Sequence, residues 1–237
     1  MKTGAVLFDM GGVLLDFQGT AGVPRGRLDW RGREALLRFL NLRRAGLTEE
    51  DLERVLFGPW RHEYDRRQAL GREADWGPHC KRVRKLAGRG LRTPTKTLLS
   101  IWFRPLAEQI EPLPGVPEVL EQLRDRGCRM AIISNVPLPG ALYARILGRC
   151  GLAPYFDRMY FSYEEGHRKP SPAMVRKALS DLGTPSTDAV MVGDRRSIDI
   201  VAGRAAGVRT IWLRTEDGGG PAADVTIDSI AELLDHV

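Results

Sequence analysis

The sequence predicts an α/β protein: a doubly wound parallel sheet, interrupted after its first strand by an inserted α-helical domain. Three observations carry this. Short continuous apolar runs recur along the chain, as strands buried on both faces require. Helix-patterned segments alternate with those runs, the signature of βαβ units. Residues 17–112 break the alternation and hold most of the basic excess.

The first strand is Ala5–Phe8, ended by Asp9. Four further runs read as strands: Met130–Ile133, Met159–Phe161, Ala189–Val192 and Thr210–Leu213. Between them, Pro117–Arg126 places Val119, Leu120 and Leu123 at helical spacing, and Gly127 follows as a C-terminal cap. Leu138–Arg149 is compatible with a helix. Pro172–Leu182 follows Ser171 as N-cap, with Pro172 at the first helical position and Gly183 past the end. Ile198–Ala206 precedes Gly207, and Ser229–Leu234 reads as a final helix.

The insert reads as helices. Arg33–Ala45 carries Leu36, Leu37, Leu40 and Leu42, and Thr48–Asp51 is a helix start before Leu52, Val55 and Leu56. Pro78–Ala87 and Thr95–Glu108 complete it. Its boundaries fall near Asp16–Gly19 and Pro112–Gly115, both rich in turn formers. The expected division is a core of 1–16 plus 113–237 and a helical cap of 17–112.

Composition narrows the function classes. The chain has 237 residues, 43% hydrophobic and 28% charged, which excludes collagen-like and low-complexity classes. The net charge is +6. Residues 17–112 hold 20 Lys and Arg against 12 Asp and Glu, a net of +8, and the remainder is −2. A basic lid steering anionic ligands fits that split, and so does an Arg-rich background loading an exposed module. The run Lys81-Arg-Val-Arg-Lys85 reads as a solvated helix face, and no basic stretch is interleaved with aromatics as in a nucleic-acid groove. We expect no specific nucleic-acid partner. No run approaches the roughly 18 apolar residues of a membrane span. Cys80, Cys128 and Cys150 have no metal-ligand spacing and read as buried or half-buried thiols. These features predict a cytoplasmic protein.

Four groups stand at or just beyond strand ends, where ligands bind in doubly wound sheets. Asp9-Met-Gly-Gly12 puts a carboxylate beside backbone that a ligand can approach closely. Ser134-Asn135 offers a hydroxyl for a phosphate oxygen. Lys169-Pro-Ser-Pro offers a cation ahead of a helix. Gly193-Asp194 and Asp199 supply two carboxylates five residues apart, suited to a hard cation. Singly, each also fits a turn, a cap or a solvated charge. Together and in this order they resemble the haloacid dehalogenase superfamily, over nearly the whole chain.

The resemblance implies a Rossmann-like core with a C1-type cap and a Mg²⁺-dependent phosphatase acting on a small phosphorylated metabolite. It implies that Asp9 is the nucleophile, forming an aspartyl-phosphate. Lys169 balances the charge on Asp9 and the phosphoryl group. Gly12, Ser134 and Asn135 surround the phosphate. Asp9, the Gly11 carbonyl, Asp194 and Asp199 form the metal site, Asp199 directly or through water. Such phosphatases carry a second Asp two residues after the nucleophile as general acid and base, and here that position is Gly11. Glycine transfers no proton, a loss of about 10²–10⁴ in rate.

Three alternatives follow. A phosphatase without that acid prefers acyl, aryl or anomeric phosphates, or finds another acid among His62, Glu63, His79 and His167. A phosphotransferase or mutase would exploit a long-lived phosphoenzyme. A regulator would bind phosphate without turnover. The intact Gly193-Asp194 argues against dehalogenase chemistry, which binds no metal. Arg195 and Arg196 either bind a second anionic group or are solvated. Trp60, Tyr64, Trp76, Trp102 and Phe103 either line a substrate pocket or form the cap's own core.

Overall fold

The structure is a computed structural model and describes residues 3–17, 25–88, 91–215 and 219–237. Eight strands occur among the described residues: β1 (Ala5–Phe8), β2 (Leu15–Asp16), β3 (Glu111–Pro112), β4 (Arg129–Ser134), β5 (Arg158–Phe161), β6 (Ala189–Gly193), β7 (Arg209–Leu213) and β8 (Val225–Ile227). Six form one parallel sheet in the order β5-β4-β1-β6-β7-β8. The chain runs from β1 outward through β4 to β5, then returns to the other side of β1 at β6. That reversal puts the crevice at the carboxyl end of β1.

The strands are buried because both faces are covered. Alternate residues point to opposite faces. Val6, Phe8, Ile132, Val190 and Val192 join one apolar cluster, and Ala5, Leu7, Ala131, Ile133, Ala189 and Met191 join the other. Helix α6 (Val116–Asp125) closes the first face with Val116, Val119, Leu120 and Leu123. After α7 (Gly140–Arg149) and α8 (Ser162–Glu165), helix α9 (Ala173–Leu182) closes the second with Met174, Val175, Ala178, Leu179 and Leu182.

Between β2 and β3, which pair antiparallel as a two-stranded stem, lie five α-helices. They are α1 (Arg25–Asn41), α2 (Glu49–Leu52), α3 (Gly58–Gln68), α4 (Trp76–Leu86) and α5 (Thr95–Ala107). Thr48 caps α2 through the expected reciprocal bond with Asp51. The Gly19 end of the expected boundary lies outside the described residues. Trp76 anchors this region to the sheet side: its indole N–H donates to the Pro137 carbonyl at 2.8 Å.

Several expectations shift. Helix α1 ends at Asn41, and Leu42 is exposed rather than on its apolar face. Helix α9 starts at Ala173, not Pro172, with Pro172 as N-cap. Ser171 stands one residue ahead of that cap, and its hydroxyl accepts from the Ala173 N–H at 3.4 Å. The last helix is 3₁₀, Ile230–Asp235, capped by Ser229 and Glu232. Helix α3 and strand β8 were not foreseen. No helix among the described residues is long and apolar enough to cross a membrane.

Candidate active site

Neighbouring strands β4, β1 and β6 deliver Ser134, Asp9 and Asp194 to one edge of the sheet. The Asp9 N–H donates to the Val192 carbonyl at 2.9 Å, which extends the β1–β6 pairing to Asp9 itself. Lys169 arrives from the loop ahead of α9 and is buried. Its ammonium donates to Asp9 Oδ1 at 2.7 Å, Asp199 Oδ1 at 2.7 Å and the Ile133 carbonyl at 2.6 Å. Burial alone would lower its pKa, but Asp199 and Asp9 outweigh that and hold the ammonium charged. The loop is fixed by Asn135, whose side-chain amide donates to the Lys169 carbonyl at 2.8 Å and accepts from the Lys169 N–H at 2.9 Å.

Asp199 sits in a π-helical turn, Arg196–Ile200. Its Oδ2 accepts from the Arg195 N–H at 3.0 Å. A side chain on Gly193 would collide with Asp199, so only glycine permits this approach. The Asp194 carbonyl accepts from the Trp212 indole N–H at 2.8 Å.

Oxygens of Asp9, Asp194 and Asp199 lie within 4.8 Å of one another. Three carboxylates against one ammonium leave the cluster negative. Burial, then Asp9 and Asp199, push the Asp194 carboxyl up to about 7. Its Oδ1 is buried without a hydrogen-bond partner among the described residues. Gly12 sits at φ 79°, and a Cβ there would strike Oδ2 of Asp194. An orphaned carboxylate oxygen, hard oxygen donors and a backbone cradle fit a hard divalent cation.

A cavity of about 520 Å³ opens from this cluster. Asp9, Gly11, Ser134, Asn135, Lys169 and Asp199 line one end. Of the five aromatic candidates, Trp60, Tyr64, Trp102 and Phe103 line it, whereas Trp76 is fully buried behind Trp60. No Lys or Arg of residues 17–112 lines the cavity among the described residues. The candidate replacement acids His62, Glu63, His79 and His167 do not line it either. His79 is buried against Glu63 at 2.9 Å. Arg195 lines the cavity, and Arg196 stacks over the Trp212 ring. Phe17, Asp29 and the Ile133 carbonyl were missed by sequence reasoning; apolar or insert-borne groups and backbone atoms carry no chemical signal there.

A family model described as haloacid dehalogenase-like hydrolase matches residues 3–207. The chain belongs to the haloacid dehalogenase-like hydrolases. It is similar to phosphoserine phosphatase of Thermus thermophilus, 29% identical over 221 residues that cover 78% of this chain and 88% of that protein. It also resembles ribulose-1,5-bisphosphate 5-phosphatase of Halopiger xanaduensis, 33% identical over 55% of this chain and 58% of the relative. Pyrimidine 5'-nucleotidase YjjG of Escherichia coli is 37% identical over 54% of this chain and 57% of the relative. The chain thus spans little more than half of those two relatives' length. The fold matches an HAD phosphatase from Thermococcus onnurineus (TM-score 0.65, 24% identity, 100% of this chain and 97% of that one). It matches 2-haloacid dehalogenase from Pseudomonas syringae equally well (TM-score 0.67, 22% identity, 99% and 97%). At those identities the likeness shows the fold alone.

Proposed function

We propose that the protein is a Mg²⁺-dependent phosphatase of a small phosphorylated metabolite, working through a phosphoryl group carried on Asp9. The observation that carries this is Lys169 bound to both Asp9 and Asp199, next to the orphaned oxygen of Asp194. One carboxylate at the crevice is served on one side by a fixed cation and on the other by room for a mobile one. Residues 17–112 are read as the cap, and 1–16 with 113–237 as the core.

An oxygen of Asp9 attacks phosphorus while the bond to the leaving oxygen breaks, and the electron pair departs on that oxygen. Lys169 lowers the repulsion between the carboxylate and the anionic phosphoryl group, and the Ser134 hydroxyl donates to a phosphoryl oxygen. Asp9, the Gly11 carbonyl, Asp194 and Asp199 would hold Mg²⁺, whose bound charge supplies further stabilisation of the phosphoryl oxygens. Water then attacks phosphorus and frees Asp9. Gly11 supplies no proton in either step. Asn135 serves in this reading by fixing the Lys169 backbone, with the phosphate left to Gly12, Ser134 and Lys169.

The relatives named above are phosphatases and a nucleotidase, which supports this class of chemistry. A phosphotransferase remains the second reading, favoured by Gly11 alone, because slow hydrolysis lengthens the life of a phosphoenzyme. The test is phosphate release from a metabolite panel with Mg²⁺, with chelator, and with Asp9→Asn. Release that needs Mg²⁺ and Asp9 supports the proposal. Undiminished release by Asp9→Asn overturns it.

A further inference from the structure

The far end of the cavity is walled mainly by aromatic side chains. Beyond the carboxylate cluster its wall includes Trp60, Tyr64, Trp102, Phe103 and Leu138, with Phe17 nearer the cluster beside Gly11. The Trp60 and Tyr64 rings stack at 4.9 Å and 24°, and the Arg168 guanidinium lies over the Tyr64 ring at 5.4 Å, which holds Tyr64 rigid with its edge toward the cavity. Among the described residues, the charged wall groups away from Asp9, Lys169 and Asp199 are Asp29 and Arg195. Asp29 is already engaged, accepting from the Trp102 indole N–H at 3.0 Å and from Arg33 at 2.8 Å. The other described polar groups on this part of the wall are Arg195, the Tyr64 and Tyr143 hydroxyls and the Trp60 indole N–H, too few for a leaving group rich in hydroxyls or carboxylates, part of which would stay unpaired at a cost. A flat ring would bury both faces without that loss. At about 520 Å³ the cavity is large for a phosphoryl group alone and of ordinary size for a ring-bearing ligand.

Position 11 points the same way by a separate route. Gly11 brings no acid, and the Phe17 ring lies 3.3 Å from where its Cβ would be. An apolar ring thus stands where a side chain at position 11 would point. An aryl oxygen is a far weaker base than an alkoxide and leaves without a proton donor.

We infer that the substrate is an aryl phosphate monoester, its flat aromatic body lying against Tyr64, Trp102 and Phe17. This deepens the phosphatase reading and rests on it. The Asp9 oxygen forms a bond to phosphorus as the bond between phosphorus and the aryl oxygen breaks. The electron pair leaves on that oxygen as a phenolate, which takes its proton from water.

The test compares three substrates with Mg²⁺: 2-naphthyl phosphate, acetyl phosphate and glycerol 3-phosphate. Acetyl phosphate has a good leaving group without a ring, and glycerol 3-phosphate has neither. The expected kcat/KM is highest for naphthyl phosphate. Tyr64→Ala should lower the ratio of kcat/KM for naphthyl over acetyl phosphate roughly tenfold, chiefly through KM, and Tyr64→Phe should restore it. Quenching of tryptophan fluorescence by naphthylmethylphosphonate, which is not hydrolysed, should weaken in Tyr64→Ala by a similar factor. A higher kcat/KM for acetyl or glycerol phosphate, or an unchanged ratio in folded Tyr64→Ala, overturns the aryl assignment and leaves the phosphatase reading standing. No Asp9-dependent turnover of any of the three removes both.

Discussion

Restoring a carboxyl at position 11 is the sharpest perturbation this site allows. Gly11 is not among the residues at positive φ, so its backbone accepts an L side chain. Its Cβ would stand 3.3 Å from Phe17 Cδ2 and 3.6 Å from Cε2. The first contact is a few tenths of an ångström tight, and it falls on a partly buried ring rather than on backbone. Crowding of this kind costs on the order of 1 kcal/mol, and losing the glycine's unfolded-state freedom offsets about 0.4–1 kcal/mol of it. Gly11→Asp should therefore fold with nearly unchanged Tm. If its carboxyl protonates the leaving oxygen, alkyl phosphates gain about 10²–10⁴ in rate, equivalent to roughly 3–5 kcal/mol of barrier. Aryl and acyl phosphates, which need no proton, gain far less. The assay is kcat/KM against leaving-group pKa, from acidic phenols to simple alcohols, with Mg²⁺ affinity and Tm measured alongside. The wild type should show a steep dependence and Gly11→Asp a shallow one. A flat dependence in the wild type would reveal an acid outside position 11 and contradict an acid-free centre. So would an unchanged slope in a folded, Mg²⁺-binding Gly11→Asp, Phe17→Ala double variant.

Three further outcomes follow from the geometry. Gly12→Ala places a Cβ against Asp194 at a φ of 79°, so it should lower Tm by several degrees and weaken Mg²⁺ binding, read by calorimetry. Asp194 has a folded pKa of about 7 against an ordinary value of 3.8, so the folded state keeps a proton that the unfolded state releases between these values. Metal-free stability should thus fall as pH rises through that window, while the Tm gain from Mg²⁺ should grow from about pH 5 to about pH 8; Asp194→Asn should flatten both trends. Glu73 is buried, with its Oε1 accepting from Arg168 and from the Ser162 hydroxyl. Glu73→Ala strands the Arg168 guanidinium next to Lys169 and should cost about 3 kcal/mol, on the order of 10 °C in Tm, whereas a shift under about 2 °C would show that the pair is idle.

The sheet was legible because its strands are buried on both faces and so appear as unbroken apolar runs. The site was legible because parallel strands all end at one edge, so that Asp9, Ser134 and Asp194 announce themselves by following such runs. Helix α3 was not, because only Trp60 of its eleven residues is buried and no apolar period marks it. Strand β8 has three residues, too few to stand out between Asp224 and Asp228. The aromatic candidates were visible as residues but not as a wall, since Trp60 and Trp76 differ only in which packs behind the other. The +8 of residues 17–112 does not act from the cavity wall, since no Lys or Arg of that stretch lines the cavity among the described residues; a pull on a phosphate from those described side chains acts at longer range, and salt should weaken it. The Arg168–Glu73 pair joins residues 95 apart, and no local pattern encodes such a contact.

The proposed reaction passes phosphoryl groups through Asp9 at a centre without an acid or base at position 11. The most direct measurement is the intact mass of the protein quenched in acid during turnover of 2-naphthyl phosphate with Mg²⁺, followed by peptide mapping. One phosphoryl adduct on Asp9 is expected, accumulating because Gly11 cannot activate water, lost with chelator and absent from Asp9→Asn. Turnover without an adduct that Asp9→Asn sustains, or an adduct on another residue, would contradict it.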